Sequence, residues 1–166
     1  MDKTALRRLM VSRRAALPFV VSDDLSARIA KLLVGVIDFS AIRTVHCYRS
    51  NADRREVDTD RMIAAICESY PDIIVTLADD SRTAPFADGL FDLIIVPVVA
   101  FDAGCNRLGL GAGWYDTFLA RQPKAITVGL AYDMQLVQDV PVDAMDVALD
   151  MIVTESRVFT RSSGRP

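Results

Sequence analysis

The middle of the chain carries a glycine at every second position, Gly109, Gly111 and Gly113, directly before a helical pattern that begins at Trp114. An apolar stretch at 93–98 precedes them and predicts a buried strand. Glycine allows the backbone to approach a ligand closely, and the unpaired N–H groups at a helix start attract anions such as phosphate. These residue types are therefore typical of a phosphate-binding loop.

Charged residues flank the glycines on both sides. Arg107 offers a guanidinium for phosphate oxygens, and Asp116 offers a carboxylate that suits a metal ion bound to them. The segment nevertheless lacks the Gly-Lys-Ser/Thr of a Walker loop and the glycine spacing of a dinucleotide fold. Two interpretations stay open on spacing alone: a phosphate-binding loop, and a strand-to-helix connection whose glycines only make tight turns.

A second set of cations lies at the N-terminus. Apolar residues at 3.6-residue spacing predict a first helix over about 2–16. Lys3, Arg7 and Arg14 fall at i, i+4 and i+11, so they project along one stripe beside the apolar face. Such a stripe can line a cleft, although a solvated helix flank gives the same pattern.

Glu56 stands three residues after Asp53, as the two partners of a helix capping box do. From this pattern alone, the capping role is the interpretation that we favour for Glu56. The helix that the two residues would begin carries Met62, Ile63 and Ile66 toward the core.

Histidine and cysteine offer little chemistry. His46 is the sole histidine and lies in a predicted strand, so we expect a structural role and no histidine-based triad. The three cysteines are Cys47, Cys67 and Cys105, which lack metal-ligand spacing and are odd in number. Reduced thiols therefore fit better than a disulfide framework or a zinc site.

Length and composition favour one domain over residues 1–160, with a frayed tail at 161–166. The chain has 166 residues, of which 51% are hydrophobic and 25% charged, so it can bury a substantial core. The net charge of −3 argues against a nucleic-acid partner. Neither a membrane-length apolar run nor a signal-peptide core is visible, so we expect no membrane association and a cytoplasmic location.

Strands and helices are predicted to alternate along the chain. Strand patterns lie at 44–48, 72–77, 93–98 and 125–131, and a last one at 151–154. A second helix is expected to begin at a Ser22 cap, after Pro18 has ended the first. Alternation of this kind predicts a three-layer α/β fold, doubly wound, with a mostly parallel central sheet flanked by helices. Ligands of such folds bind at the carboxyl ends of the strands, where the glycine segment begins.

Four segments resemble the 5-formyltetrahydrofolate cyclo-ligase family. They are KTALR at 3–7, EVDT at 56–59, PVVAFDAGCNRLGLGAGWYD at 97–116 and DVALD at 146–150. The third segment is long and specific, and all four occur in the order of the family pattern. The resemblance implies a NagB/RpiA/CoA-transferase-like version of the predicted fold.

The resemblance also implies a role for individual residues. It makes Asp116 and Asp146 ligands of Mg²⁺, places Glu56 against the folate, and gives Arg107 and Tyr115 catalytic roles. The residues that it places around ATP are Lys3, Arg7, Arg107, Gly109, Leu110, Gly111, Ala112, Gly113, Trp114 and Tyr115.

The implied activity is the cyclisation of 5-formyltetrahydrofolate to 5,10-methenyltetrahydrofolate, driven by MgATP, in a monomer or weak homodimer. The chain is shorter than the family pattern between Glu56 and Asp92, in the part that covers the folate. Three other interpretations therefore stay open. They are a paralogue that binds ATP but acts on another small molecule, a non-catalytic nucleotide-binding module, and a phosphosugar-type α/β enzyme that uses the glycines without ATP.

Overall fold

A computed structural model of the protein describes residues 1–78 and 89–162. The turn-forming residues of ADDSRTAPFADG at 78–89 predict a loop, which lies almost wholly outside the described residues. The described helices are α1 (Lys3–Ala15), α2 (Phe19–Val36), α3 (Asp60–Ser69) and α4 (Trp114–Ala120). The described strands are β1 (Thr44–Cys47), β2 (Ile74–Leu77), β3 (Leu93–Pro97), β4 (Ala100–Phe101), β5 (Arg107–Leu108), β6 (Ile126–Leu130), β7 (Met151–Val153) and β8 (Val158–Thr160). Within the two described ranges, no helix is both long and apolar enough to cross a membrane.

Six of these strands form one sheet in the order β2-β1-β3-β6-β7-β8. Neighbours from β2 to β7 pair in parallel, and β8 pairs antiparallel with β7. Residues 93–96 of β3 are fully buried, as the uninterrupted apolar run of a central parallel strand requires. The predicted α/β fold with a mostly parallel sheet is confirmed.

Helices cover both faces of the sheet. The ring centroid of His46, on β1, lies 4.6 Å from the ring centroid of Phe118 on α4. The next residue, Cys47, points to the opposite face, where its thiol interacts with Thr59 at the start of α3. Helix α2 packs against α3 on that second face. Alternate side chains of one strand thus serve two helical layers.

Helix α1 packs on a separate feature, the hairpin formed by β4 and β5. Its apolar residues Leu6 and Met10 are buried in a small cluster with Val99, Ala100 and Leu108. At the N-terminus of the helix, the Asp2 carboxylate accepts a hydrogen bond of 2.7 Å from the Ala5 N–H, as an N-cap does. The apolar face thereby fixes α1 beside the glycine segment, which follows β5 directly.

Two predicted boundaries are wrong. Helix α2 begins at Phe19 and not after Ser22, because Pro18 occupies the N-cap and Ser22 donates within the helix to the Phe19 carbonyl at 2.9 Å. The strand at 151–153 is not the last, since the described chain continues into β8. Beyond it, the Arg161 N–H donates to the Asp150 carbonyl at 3.0 Å, and residues 163–166 of the predicted tail lie outside the described residues.

Gly129 offers a test of packing in the sheet. A Cβ at this position of β6 would lie 2.7 Å from Leu149 Cδ1 and 2.8 Å from Val98 Cγ2. We expect Gly129→Ala to lower the free energy of unfolding by about 1–3 kcal/mol in a urea titration, because the added methyl group overpacks the core. The control is Gly35→Ala in α2, where a Cβ meets no atom within 4 Å and should stabilise the helix by about 0.5–1 kcal/mol. Equal effects of the two substitutions would contradict this account.

Candidate functional site

A cavity of about 270 Å³ lies beyond the carboxyl end of β3, which pairs with β1 where the strand order of the sheet reverses. Every residue predicted for the site lines it. These residues are Lys3, Arg7, Glu56, Arg107, Gly109, Leu110, Gly111, Ala112, Gly113, Trp114, Tyr115, Asp116 and Asp146. The structure thus brings together residues that are spread over most of the chain.

Arg7 joins α1 to the glycine segment. Its Nε donates a hydrogen bond of 2.8 Å to the Gly109 carbonyl. Its guanidinium also covers Gly111, where an added Cβ would lie 3.2 Å from the Arg7 Cζ. Gly111 has a φ of +109°, which L residues rarely adopt. The glycine is therefore required both by its backbone conformation and by the approach of the arginine.

Lys3 pairs with two carboxylates of the segment before β7. Its Nζ donates to Asp143 Oδ2 at 2.6 Å and also to the Asp146 carboxylate. The Asp143 N–H donates to Asp146 Oδ2 at 2.6 Å, which fixes the two acidic residues together. Partial burial acts to raise the pKa of Asp146, but the bonds from Lys3 and Asp143 outweigh it and leave the pKa below its usual value.

Arg107 forms the second ion pair of the cavity. Its Nη2 donates to Asp116 Oδ1 at 2.9 Å, and the Val147 N–H donates to the same oxygen at 3.1 Å. Because Val147 follows Asp146, the bond brings the two predicted metal ligands to one side of the cavity. Each carboxylate is bonded to a cation of the protein, and the described residues include no group of three or more metal-ligating side chains.

Glu56 does not cap a helix, and the capping interpretation is wrong. Helix α3 begins at Asp60 with Thr59 at its N-cap, whereas residues 51–56 form a turn. The side chain of Asn51 accepts from the Arg54 N–H at 3.0 Å within that turn, so Asp53 stands outside any helix. Glu56 instead directs its carboxylate toward the cavity and accepts there from the Asn51 N–H at 3.0 Å.

Two polar residues that line the cavity, Arg14 and Asp143, were not assigned to the site by sequence reasoning. Arg14 gave a signal, its place on one helical stripe with Lys3 and Arg7, whereas Asp143 reaches the site through a tertiary contact. Gln135, which follows β6, supports the cavity wall from outside by donating from Nε2 to the Val98 and Val99 carbonyls at 2.7 and 2.9 Å.

An aromatic cluster supports the start of α4 below the cavity. The ring centroid of His46 lies 5.9 Å from that of Trp114 and 6.1 Å from that of Tyr115. His46 is 1% exposed, and its burial lowers its pKa to about 4. This placement fits the structural role expected for the histidine.

Sequence comparison finds relatives across the chain. A sequence model described as the 5-formyltetrahydrofolate cyclo-ligase family matches residues 73–155. The 5-formyltetrahydrofolate cyclo-ligase of Mycoplasma pneumoniae is 31% identical over 169 residues, which cover 93% of this chain and 99% of that protein. The protein of the same name from Escherichia coli K12 is 44% identical over 70 residues, which cover 41% of this chain and 38% of that protein.

Solved structures extend the similarity to the fold. The NMR structure of Aquifex aeolicus 5,10-methenyltetrahydrofolate synthetase has a TM-score of 0.80 and 27% identity, covering 100% of this chain and 96% of that one. The structure of the Mycoplasma pneumoniae 5,10-methenyltetrahydrofolate synthetase has a TM-score of 0.78 and 26% identity, covering 94% of this chain and 100% of that one. Both relatives are covered almost completely, so a chain of this length is not exceptional among them.

The buried His46 predicts how stability depends on pH. Its folded-state pKa of about 4 lies below the usual 6.5. The stability that the neutral histidine contributes is therefore fully present above pH 6.5 and is lost as the pH falls toward 4. The loss from this residue should reach about 3 kcal/mol. We would measure urea unfolding at several pH values for the wild type and for His46→Phe, which does not titrate. Parallel curves for the two proteins would contradict the burial of a neutral histidine.

Proposed function

The chain belongs to the 5-formyltetrahydrofolate cyclo-ligase family, and on this basis we propose that it converts 5-formyltetrahydrofolate and ATP into 5,10-methenyltetrahydrofolate, ADP and phosphate. One observation carries the proposal to this chain. A single cavity contains the cations of α1, the glycine segment and the buried carboxylate of Glu56. A site of this composition suits a polyphosphate on one side and a ligand with N–H donors on the other.

The reaction needs an activated formyl oxygen, because oxygen leaves an amide-like carbon poorly. The N5-formyl oxygen attacks the γ-phosphorus of ATP, the bond to the bridging oxygen breaks, and ADP leaves. N10 of the same folate then adds to the formyl carbon and loses its proton. Departure of phosphate takes the oxygen away and completes the methenyl bridge.

Positioning and charge neutralisation are what this reaction asks of the protein. Lys3, Arg7 and Arg107 supply the positive charges for the phosphate oxygens. Backbone N–H groups of the glycine segment hold the same oxygens in line with the attacking atom. The hydroxyl of Tyr115, whose residue lines the cavity, is assigned to the transferred phosphoryl group.

The carboxylates of Asp116 and Asp146 fit a magnesium ion that arrives with ATP. Mg²⁺ is commonly bound by one or two carboxylates together with phosphate oxygens and water, so a larger acidic cluster is not needed. Both side chains reach the cavity surface, with 19% and 23% of their areas exposed. When bound there, the ion neutralises phosphate charge and orients the phosphates.

Glu56 is proposed to accept hydrogen bonds from the N–H groups of the folate ring system. Its side chain is 2% exposed, so its bonds to a ligand form away from bulk water and are correspondingly strong. The monomeric or weakly dimeric state and the cytoplasmic location stay predictions.

Turnover tests the proposal directly. Purified protein mixed with MgATP and 5-formyltetrahydrofolate should generate the absorbance of the methenyl product together with one ADP for each product formed. Omission of ATP should abolish the signal, because the formyl oxygen is then not activated. ATP binding without formation of methenyl product would favour the paralogue or the non-catalytic nucleotide-binding module.

Asp116→Asn separates the magnesium role from a structural one. We expect at least a 10-fold higher magnesium requirement with a loss of no more than about 1–2 kcal/mol in stability, because the neutral amide is a weaker ligand of the ion but still accepts from Arg107 and Val147. The matched control is Asp72→Asn, an exposed aspartate in the turn before β2, at the opposite end of the strands. If Asp116→Asn lowers only the melting temperature, the assignment to magnesium is wrong.

Lys3→Met tests the phosphate contacts of α1. Loss of one cation should raise the KM for ATP about 10-fold, since a charged hydrogen bond contributes about 1.5–3 kcal/mol. The control Lys31→Met removes an exposed lysine of α2 and should leave this KM unchanged. An unchanged KM for ATP in Lys3→Met would show that Lys3 does not contact the phosphates.

A further inference from the structure

Arg14 is buried in the cavity wall, with 2% of its area exposed. It contacts three groups in two parts of the chain. Its Nε donates to the Arg54 carbonyl at 2.8 Å, and its Nη1 donates to the Val98 carbonyl at 3.0 Å. Its Nη2 lies 3.8 Å from Glu56 Oε1. A single side chain of α1 therefore connects the turn before α3 with the end of β3.

The carboxylate of Glu56 depends on such a partner. Its side chain is 2% exposed, and a buried carboxylate without a counter-charge loses much more in hydration than neutral donors return. The Asn51 N–H donates to Oε2, and the Arg14 guanidinium places a positive charge beside Oε1. Among the described residues, Arg14 Nη2 has no hydrogen-bond partner, so a small movement of the Glu56 side chain suffices to form a charge-assisted bond.

Three other described groups near Glu56 make different contacts. Tyr132 donates from its hydroxyl to the Glu56 backbone carbonyl at 3.3 Å, and Tyr48 donates to the Val57 carbonyl at 2.8 Å. Arg55 of the same turn is directed elsewhere, since its Nε donates to the Leu17 carbonyl at 3.1 Å. These bonds fix the backbone of the turn, whereas Arg14 acts on the carboxylate itself.

We propose that Arg14 is a positioning residue for folate binding, which keeps the ionised carboxylate of Glu56 in place at a fixed distance from the strand end that leads to the glycine segment. The inference rests on the proposed function. Arg14 acts through Glu56 and through the Val98 carbonyl, and not as a ligand of ATP. Its removal therefore affects the folate side of the cavity more than the nucleotide side.

Binding measurements with both substrates test this. In equilibrium dialysis, Arg14→Met should bind 5-formyltetrahydrofolate about 10- to 100-fold more weakly, as expected for the loss of charge-assisted bonds, while the Kd for ATP changes by less than about 3-fold. Arg13→Met removes the adjacent exposed arginine of α1 and should change neither constant. Equal weakening of both substrates by Arg14→Met would show a general structural role and overturn the proposal.

A double-mutant cycle shows whether Arg14 acts through Glu56. Glu56→Gln removes the charge that Arg14 would position, so the double variant Arg14→Met/Glu56→Gln should bind folate no more weakly than Glu56→Gln alone. Additive effects of the two substitutions would overturn the proposal. Melting temperatures identify any variant that does not fold. In that case Arg14→Lys carries the test, with an intermediate folate affinity expected because lysine keeps the charge but cannot reach all three acceptors.

The outcomes distinguish this inference from the proposed function. If the wild-type protein binds folate but forms no methenyl product, the proposed reaction is wrong. The double-mutant cycle of Arg14 and Glu56 then still decides the role of Arg14. Wild-type protein that binds no folate overturns both.

Discussion

Helix α1 carries three cations into the wall of a cavity, and this is possible because each of them finds an acceptor there. Lys3 meets two carboxylates, Arg7 meets a carbonyl of the glycine segment, and Arg14 lies beside Glu56. The partners matter most for Arg14, because it is buried and a buried cation without them would lose its hydration uncompensated. One apolar stripe and one basic stripe together fix the position of α1. The helix in turn forms one wall of the cavity.

The sheet determines where this wall is built. Strand β3 is buried on both faces and ends at Pro97, so the chain leaves the sheet at the point where the strand order reverses. The hairpin of β4 and β5 then turns the chain back toward α1 before the glycines begin. Gln135, reaching from beyond β6, bonds to the Val98 and Val99 carbonyls and fixes this exit. The polar groups of an irregular segment are satisfied in this way although the segment is buried.

Periodicity predicted the layers of this fold because burial follows the repeat of the element: β3 is buried in a continuous run, whereas α3 buries Met62 and Ile66, which are four residues apart. The continuous apolar run of β3 could belong only to a covered strand or a short buried helix, and its flanking elements favoured the strand. The spacing of Lys3 and Arg7 likewise placed both on one helix face. Local patterns failed where a distant contact decides the structure. Asp53 and Glu56 match a capping box, but Asn51 closes a turn there and Arg14 attracts the carboxylate. Asp143 gave no signal, since its partner Lys3 lies 140 residues away.

The charges of the cavity add an argument for a metal ion that does not depend on the family. Among the described residues, its wall contains one carboxylate for each cation: Glu56, Asp116, Asp143 and Asp146 against Lys3, Arg7, Arg14 and Arg107. If the proposed nucleotide binds, every bond that Lys3 or Arg107 makes to a phosphate weakens its pair with Asp146 or Asp116. Those two carboxylates would then stand close to phosphate oxygens of the same sign, which is unfavourable in a partly buried site. A divalent cation between carboxylate and phosphate removes this repulsion. The pairing of both aspartates with cations before any ligand binds is therefore consistent with a site that takes up its metal together with its nucleotide.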